Sequence, residues 1–184
     1  MKKLPDPETR NELRPTFRQM IRELNQRHGL RHEKLTALGS PAALKEFISA
    51  EIAELLPGSS VSFEAPNALS PAAAVAAQQG KAIEIPARQS SKIYVSVSPS
   101  KITDDVFEAT PKQLSITDSA LPNGAGSLIV APILLGPEKE LSCLGALTIS
   151  RTSPNAFRQN LDIRLVARIA NDMAVALSQA NQTL

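Results

Sequence analysis

In a chain of 184 residues the side chains able to do chemistry are few: one cysteine, Cys143, two histidines, His28 and His32, and a short acidic run around Asp104 and Asp105. A single thiol excludes an intramolecular disulfide framework and any multi-cysteine metal site. Set in LSCLGAL, Cys143 reads as a small core hydrophobe, since a reactive thiolate needs an electropositive, accessible setting. His28 and His32 have the spacing of a helical metal pair, but Gly29 lies between them and no acidic partner follows at ligand spacing. Adjacent aspartates on a helix point in different directions, so Asp104 and Asp105 are poor partners for one shared proton or metal. There is no Gly-rich phosphate loop and no Ser/His/Asp constellation. The sequence therefore predicts no catalytic residue, no metal site and no cofactor, and hence not an enzyme.

Ligand binding is better supplied. Asp104, Asp105, Glu108 and Asp118 fall in the span Ala87 to Gly126, with Tyr94 and Phe107 near them, and this span of about 40 residues is longer than a plain connection. Polar groups over an apolar floor suit a lid that orients a small ligand. A surface excursion with one short helix, Asp104 to Ala109, and a solvated acidic face explains the same residues.

Composition bounds the rest. With 42% apolar and 21% charged residues the chain can bury one sizeable core and is too short for two comfortable domains. Tryptophan is absent and Tyr94 is the only tyrosine, so aromatic cages and base-stacking platforms are poorly supplied. Residues 1 to 35 carry nine Lys/Arg against five Asp/Glu, leaving eleven against thirteen in the remainder. Interleaved acids make this basic arm read as a solvated helix face rather than a nucleic-acid contact. There is no apolar leader after Met1 and no run of eighteen apolar residues, so no membrane segment is expected, and a reducing cytoplasm is the natural setting.

The elements that must position these groups are punctuated by proline. Ser40-Pro41 and Ser70-Pro71 each combine an N-cap oxygen with a proline suited to the first helical turn, and Ser153-Pro154 also stands ahead of a helical pattern. Leu44, Phe47, Ile48, Ile52, Leu55 and Leu56 follow three-four spacing until Pro57-Gly58, and PAAAVAAQQ ends at Gly80. Upstream, Thr16 to Gln26 carries Phe17, Met20, Ile21 and Leu24 on one face. Strands are expected at Ser60 to Ala65, Ala82 to Ile85, Ile93 to Val97, Ser127 to Leu134 and Leu141 to Ser150, the last two joined as a hairpin through LGPEKEL. The fold class is α+β: an antiparallel sheet of about five or six strands flanked by helices, with long N- and C-terminal helices. Residues 1 to 39 form a basic helical extension and residues 40 to 184 the domain proper, with an atypical insert at 87 to 126.

Three groups of residues carry a family resemblance. Ala53-Glu54-Leu55-Leu56-Pro57-Gly58 stops a helix before the strand Ser60 to Phe63. Ala77-Gln78-Gln79-Gly80-Lys81-Ala82-Ile83-Glu84-Ile85-Pro86 turns from a small helix into an apolar strand. Finally come Ser127 to Pro132, Leu144-Gly145-Ala146-Leu147, Phe157 and the amphipathic stretch Asp162 to Ala180. In this order and spacing they resemble the GAF domain, a PAS-like sensory fold, over about residues 40 to 182. The resemblance implies signal transduction, a ligand pocket under the 94 to 126 segment and pairing through terminal helices. Two departures stand out: only Pro66 to Leu69 separates the first strand from Ser70, leaving no room for the family's second strand, and the 87 to 126 insert is long. The sheet is then smaller, or rebuilt from Ile93 to Val97.

Family activities can be set against the residues. Bilin-binding members attach chromophore to a Cys commonly followed by His, whereas Leu144 follows Cys143. Members that bind cyclic nucleotides often show Asn-Lys, Phe and Asp-Glu, of which this chain keeps a fragment in Ser150-Arg151, Phe157 and Asp162-Ile163. Members that reduce free methionine sulfoxide need a resolving thiol that is absent here.

The expected ligand contacts are Phe63, Tyr94, Asp104, Asp105, Phe107, Ser127 and Ile129. The expected dimer contacts are Phe17, Ile21 and Leu24 with the i to i+4 row Leu165, Ile169, Met173 and Leu177, although a helix capping its own sheet gives the same row. The function expected is a non-catalytic, GAF-like sensory or regulatory domain of a bacterial-type regulator, binding a small ligand, a protein partner carrying the output, or both, as a homodimer. Two alternatives remain: a degenerate GAF scaffold used only for protein contacts, and a transcription regulator touching DNA through residues 1 to 35, which offers barely one helix plus a turn where a helix-turn-helix is needed.

Overall fold

A computed structural model describes residues 26, 30, 31, 33–35, 37–88, 93–95, 110–112, 121–136, 140–158, 161–180 and 184. The chain divides into two compact units, Met1–Ala37 and Leu38–Leu184. In the first, residues 30, 31 and 33–35 are helical, with Arg31 and Leu35 buried one turn apart. Phe17, Ile21 and Leu24 lie outside the described residues.

The second unit holds the sheet. Helix α1, Pro41–Leu55, starts as the sequence predicts: Ser40 is extended and its Oγ accepts the Ala43 N–H at 3.3 Å, with Pro41 in the first turn. Leu44, Ile48 and Ile52 form its buried stripe. Strand β1, Ser60–Glu64, leads to α2, Pro71–Gln79, capped by Ser70 and ended by Gly80 at φ +62°, the left-handed conformation that glycine adopts without a Cβ clash.

Strands β2, Ile83–Ile85, β3, Ile93–Val95, β4, Thr110–Lys112, β5, Ser127–Leu135, and β6, Ser142–Arg151, precede the closing helix α3, Asp162–Gln179. The sheet is wholly antiparallel in the order β1-β6-β5-β2-β3-β4, with the β5–β6 hairpin enclosed between β1 and β2. Here β3 extends the sheet beyond β2 and does not fill the place beside β1, which pairs with β6 alone among the described strands. Strand β4 goes beyond the sequence expectation: three residues with Pro111 at their centre carry no strand signal, yet a position at the end of the sheet spares that proline a ladder donor. The Asp104 to Ala109 helix expected nearby lies outside the described residues.

Side chains alternate between two faces. On one, Ile83, Ile85, Ile93, Val95, Leu128, Val130 and Ala146 join Ala72, Ala73 and Ala76 of α2 in one core cluster, small residues letting the helix sit close. The other face carries α3, packed on β5 and β6. The short Pro66–Leu69 connection is closed by Glu64: Oε2 accepts the Ser70 N–H at 2.6 Å, and Oε1 accepts from Ser70 Oγ at 3.1 Å and Thr148 Oγ1 at 2.7 Å.

The Leu-Gly step of the LGAL strand is a β-bulge. Ile133 pairs with Gly145 and Leu134 with Cys143, so Leu144 is skipped and its carbonyl instead accepts the Leu184 N–H at 3.1 Å. Gly145 has φ +143°, and a Cβ there would lie 2.6 Å from the Glu64 carbonyl oxygen.

Candidate functional site

Antiparallel register aligns one row across the face beneath α3: Val61, Ile149, Ile129, Glu84 and Tyr94, from β1 to β3. Four of these are apolar or aromatic; the fifth is a carboxylic acid. Glu84 is 2% exposed, sits between Ile83 and Ile85, and its Oε2 has no hydrogen-bond partner. Opposite pairs in such a ladder have Cβ atoms about 5 Å apart, which puts Ile129 and Tyr94 beside the carboxyl.

The loop from β6 to α3 positions a second carboxylate, Asp162, whose negative charge acts on Glu84. Three contacts fix the loop: the Ser127 Oγ–H donates to the Ser153 carbonyl at 2.8 Å, the Asn155 N–H donates to the Pro86 carbonyl at 2.6 Å, and Arg151 grips the loop from β6. The Arg151 guanidinium donates to Ala156 O at 2.6 Å, to Ser59 Oγ at 2.9 Å and to Pro57 O at 3.2 Å, and lies 5.0 Å from the centroid of the buried Phe157 ring. Asp162 then opens α3, fully buried, and accepts the Arg158 N–H at Oδ2 (2.7 Å) and the Arg158 Nε–H at Oδ1 (2.9 Å), with Nη2 also 2.7 Å from Oδ1. A negative charge in the first turn suits the helix dipole. Ser153-Pro154 is therefore not a helix cap: α3 begins eight residues later, at Leu161–Asp162, with no side-chain cap.

The two carboxyls are differently placed. Arg158 ties down Asp162, with its own side chain 58% exposed and the Asp162 side chain 1%. For Glu84 no counter-charge stands among the described residues: burial, and then the negative charge of Asp162, raise its pKa from 4.5 to about 7. Near neutral pH Glu84 can hold or release a proton, and when ionised it offers a buried oxygen to any donor that reaches it. Among the described residues no group of three or more His, Cys, Asp and Glu could hold a metal ion.

Four of the expected ligand residues are described, and all share this face. Phe63 pairs with Leu147 and is half-buried; Ile129 is fully buried; Tyr94 is half-buried next to Glu84; Ser127 is buried with its hydroxyl committed to the Ser153 carbonyl. Asp104, Asp105 and Phe107 lie outside the described residues. Leu165, Ile169, Met173 and Leu177 are all buried within the single chain, so pairing through α3 would fall to its outer stripe of Arg168, Asn171, Val175 and Gln179. Cys143 is half-buried, its thiol 3.5 Å from the Gly145 carbonyl oxygen.

Sequence reasoning passes over Glu84. It reads Ala82 to Ile85 as an apolar strand, and the available signal is the misfit itself: a carboxylate flanked by isoleucines in an otherwise apolar strand. No protein-family model and no curated protein matches this chain.

Proposed function

We propose that this chain is a non-catalytic, GAF-like sensory or regulatory domain that acts in signal transduction in the cytoplasm, responding to a small ligand and passing the response to a protein partner, as a homodimer. The observation that carries the reading is Glu84: a buried carboxyl with an unpartnered oxygen costs folding free energy, and an occupant that supplies a donor removes that cost. Three further features support the GAF-like form: the interior β5–β6 hairpin, the bulge at Leu144-Gly145 and the closing helix laid across both strands. No helix among the described residues is long and apolar enough to cross a membrane.

Native mass spectrometry of the purified protein tests this reading, because it reports subunit number and retained ligand together. The expected spectrum shows a dimer that sheds a small-molecule mass on gentle activation. A bare monomer whose melting temperature no small molecule raises would overturn it.

A further inference from the structure

We infer that the Glu84–Asp162 site takes a small organic cation, a protonated amine, whose N–H groups bind Glu84 Oε2 while its charge is balanced by the two carboxylates. The inference rests on the sensory reading and names its ligand class.

Charge balance comes first. With Glu84 ionised, the described residues place two carboxylates against one guanidinium, that of Arg158, a residue that already makes three contacts with Asp162. Among the described residues that leaves one positive charge short, and the oxygen that lacks a partner belongs to Glu84. A charged donor at a buried carboxylate makes the strong kind of hydrogen bond, whereas a neutral donor leaves the second carboxylate unbalanced.

The walls of the site agree. Tyr94 stands opposite Glu84 in the β2–β3 ladder, and Ile129 opposite it in the β2–β5 ladder. An aromatic face and an aliphatic floor suit an alkylammonium ion, the face adding cation–π attraction. Tyr94, the ladder partner of Glu84 on β3, is partly exposed. A divalent metal ion fits less well, since hard cations take six or more oxygens and two carboxyls with one already committed fall short.

The experiment is calorimetric titration of the full chain with n-butylammonium chloride at pH 7, against sodium chloride of equal ionic strength, 1-butanol as the neutral isostere, and calcium chloride. Wild type is expected to bind butylammonium saturably, ahead of all three controls, and to release protons on binding, seen as a dependence of the heat on buffer ionisation. Glu84→Gln, which keeps shape and neutrality, is expected to weaken binding about tenfold or more. Equal binding in Glu84→Gln, no saturation beyond the sodium control, or preference for calcium or 1-butanol would each overturn the assignment. Native mass spectrometry of both variants separates this failure from failure of the sensory reading. A retained ligand that Glu84→Gln keeps sinks the amine site and leaves the sensor, while absence of any ligand sinks both.

Discussion

Replacing Glu84 by glutamine isolates the energetic consequence of the buried carboxyl. In the folded chain Glu84 titrates near 7, against 4.5 for the exposed group. Between these values the native state keeps a proton that the unfolded chain has released. Stability contributed by this group is therefore fully present below pH 4.5, declines as pH rises through the window, and is gone above about pH 7. Because one pKa unit corresponds to about 1.4 kcal/mol, the wild type should lose about 2.5 kcal/mol between pH 5 and pH 8 from this site alone. Among the described residues the charged groups at the site are Asp162, which reinforces the effect, and Arg158, which is engaged with Asp162. The amide that Glu84→Gln introduces has no proton to lose, so the stability difference between variant and wild type should move in favour of the variant by the same amount across that range. Urea unfolding at pH 5, 6, 7 and 8 measures it, with unchanged slope and shifted midpoint. In melting temperature the differential is roughly 5 to 10 °C for a unit of this size. Parallel stability curves for the two proteins, or a Glu84 carbon resonance that titrates near 4.5, would refute the reasoning, because either means that the carboxyl is solvated in the folded chain.

Other outcomes follow from the same contacts. Arg158→Ala removes the partner of a fully buried carboxylate and should cost about 2 kcal/mol in urea unfolding at pH 7, a figure reduced because the arginine itself is more than half exposed; Asp162→Asn added to it should restore part of the loss. Gly145→Ala places a methyl group against the Glu64 carbonyl at a positive φ and should cost at least about 2 kcal/mol, with loss of amide protection at the β1–β6 ladder in hydrogen exchange. Ser70→Ala removes the cap of α2 and one donor to Glu64, and a loss of about 1 to 2 kcal/mol in the same unfolding assay is expected.

Local signals were the legible ones. Ser40-Pro41 and Ser70-Pro71 announce α1 and α2 because a cap is made within four residues, and Gly80 announces an end because only its own φ is at stake. Alternation and turn chemistry located the β5–β6 hairpin, since its partners are near neighbours in sequence. Strand β4 escapes because its support comes from pairing with β3 across the sheet and not from its own residues, Thr110, Pro111 and Lys112. The candidate site is legible only as a face: the family resemblance points to Phe63, Tyr94, Ser127 and Ile129, and the register turns them to the same side. Its central group was not seen. Side-chain identity makes Glu84 an acid and strand periodicity opposes it to Ile83 and Ile85, and both are written in consecutive residues. Whether that acid is solvated, paired or isolated depends on Tyr94, Ile129, Arg158 and Asp162, which the sheet register and the β6–α3 loop gather from far along the chain. Burial and charge compensation are properties of such neighbours, so tertiary structure alone turned an ordinary glutamate into an uncompensated one.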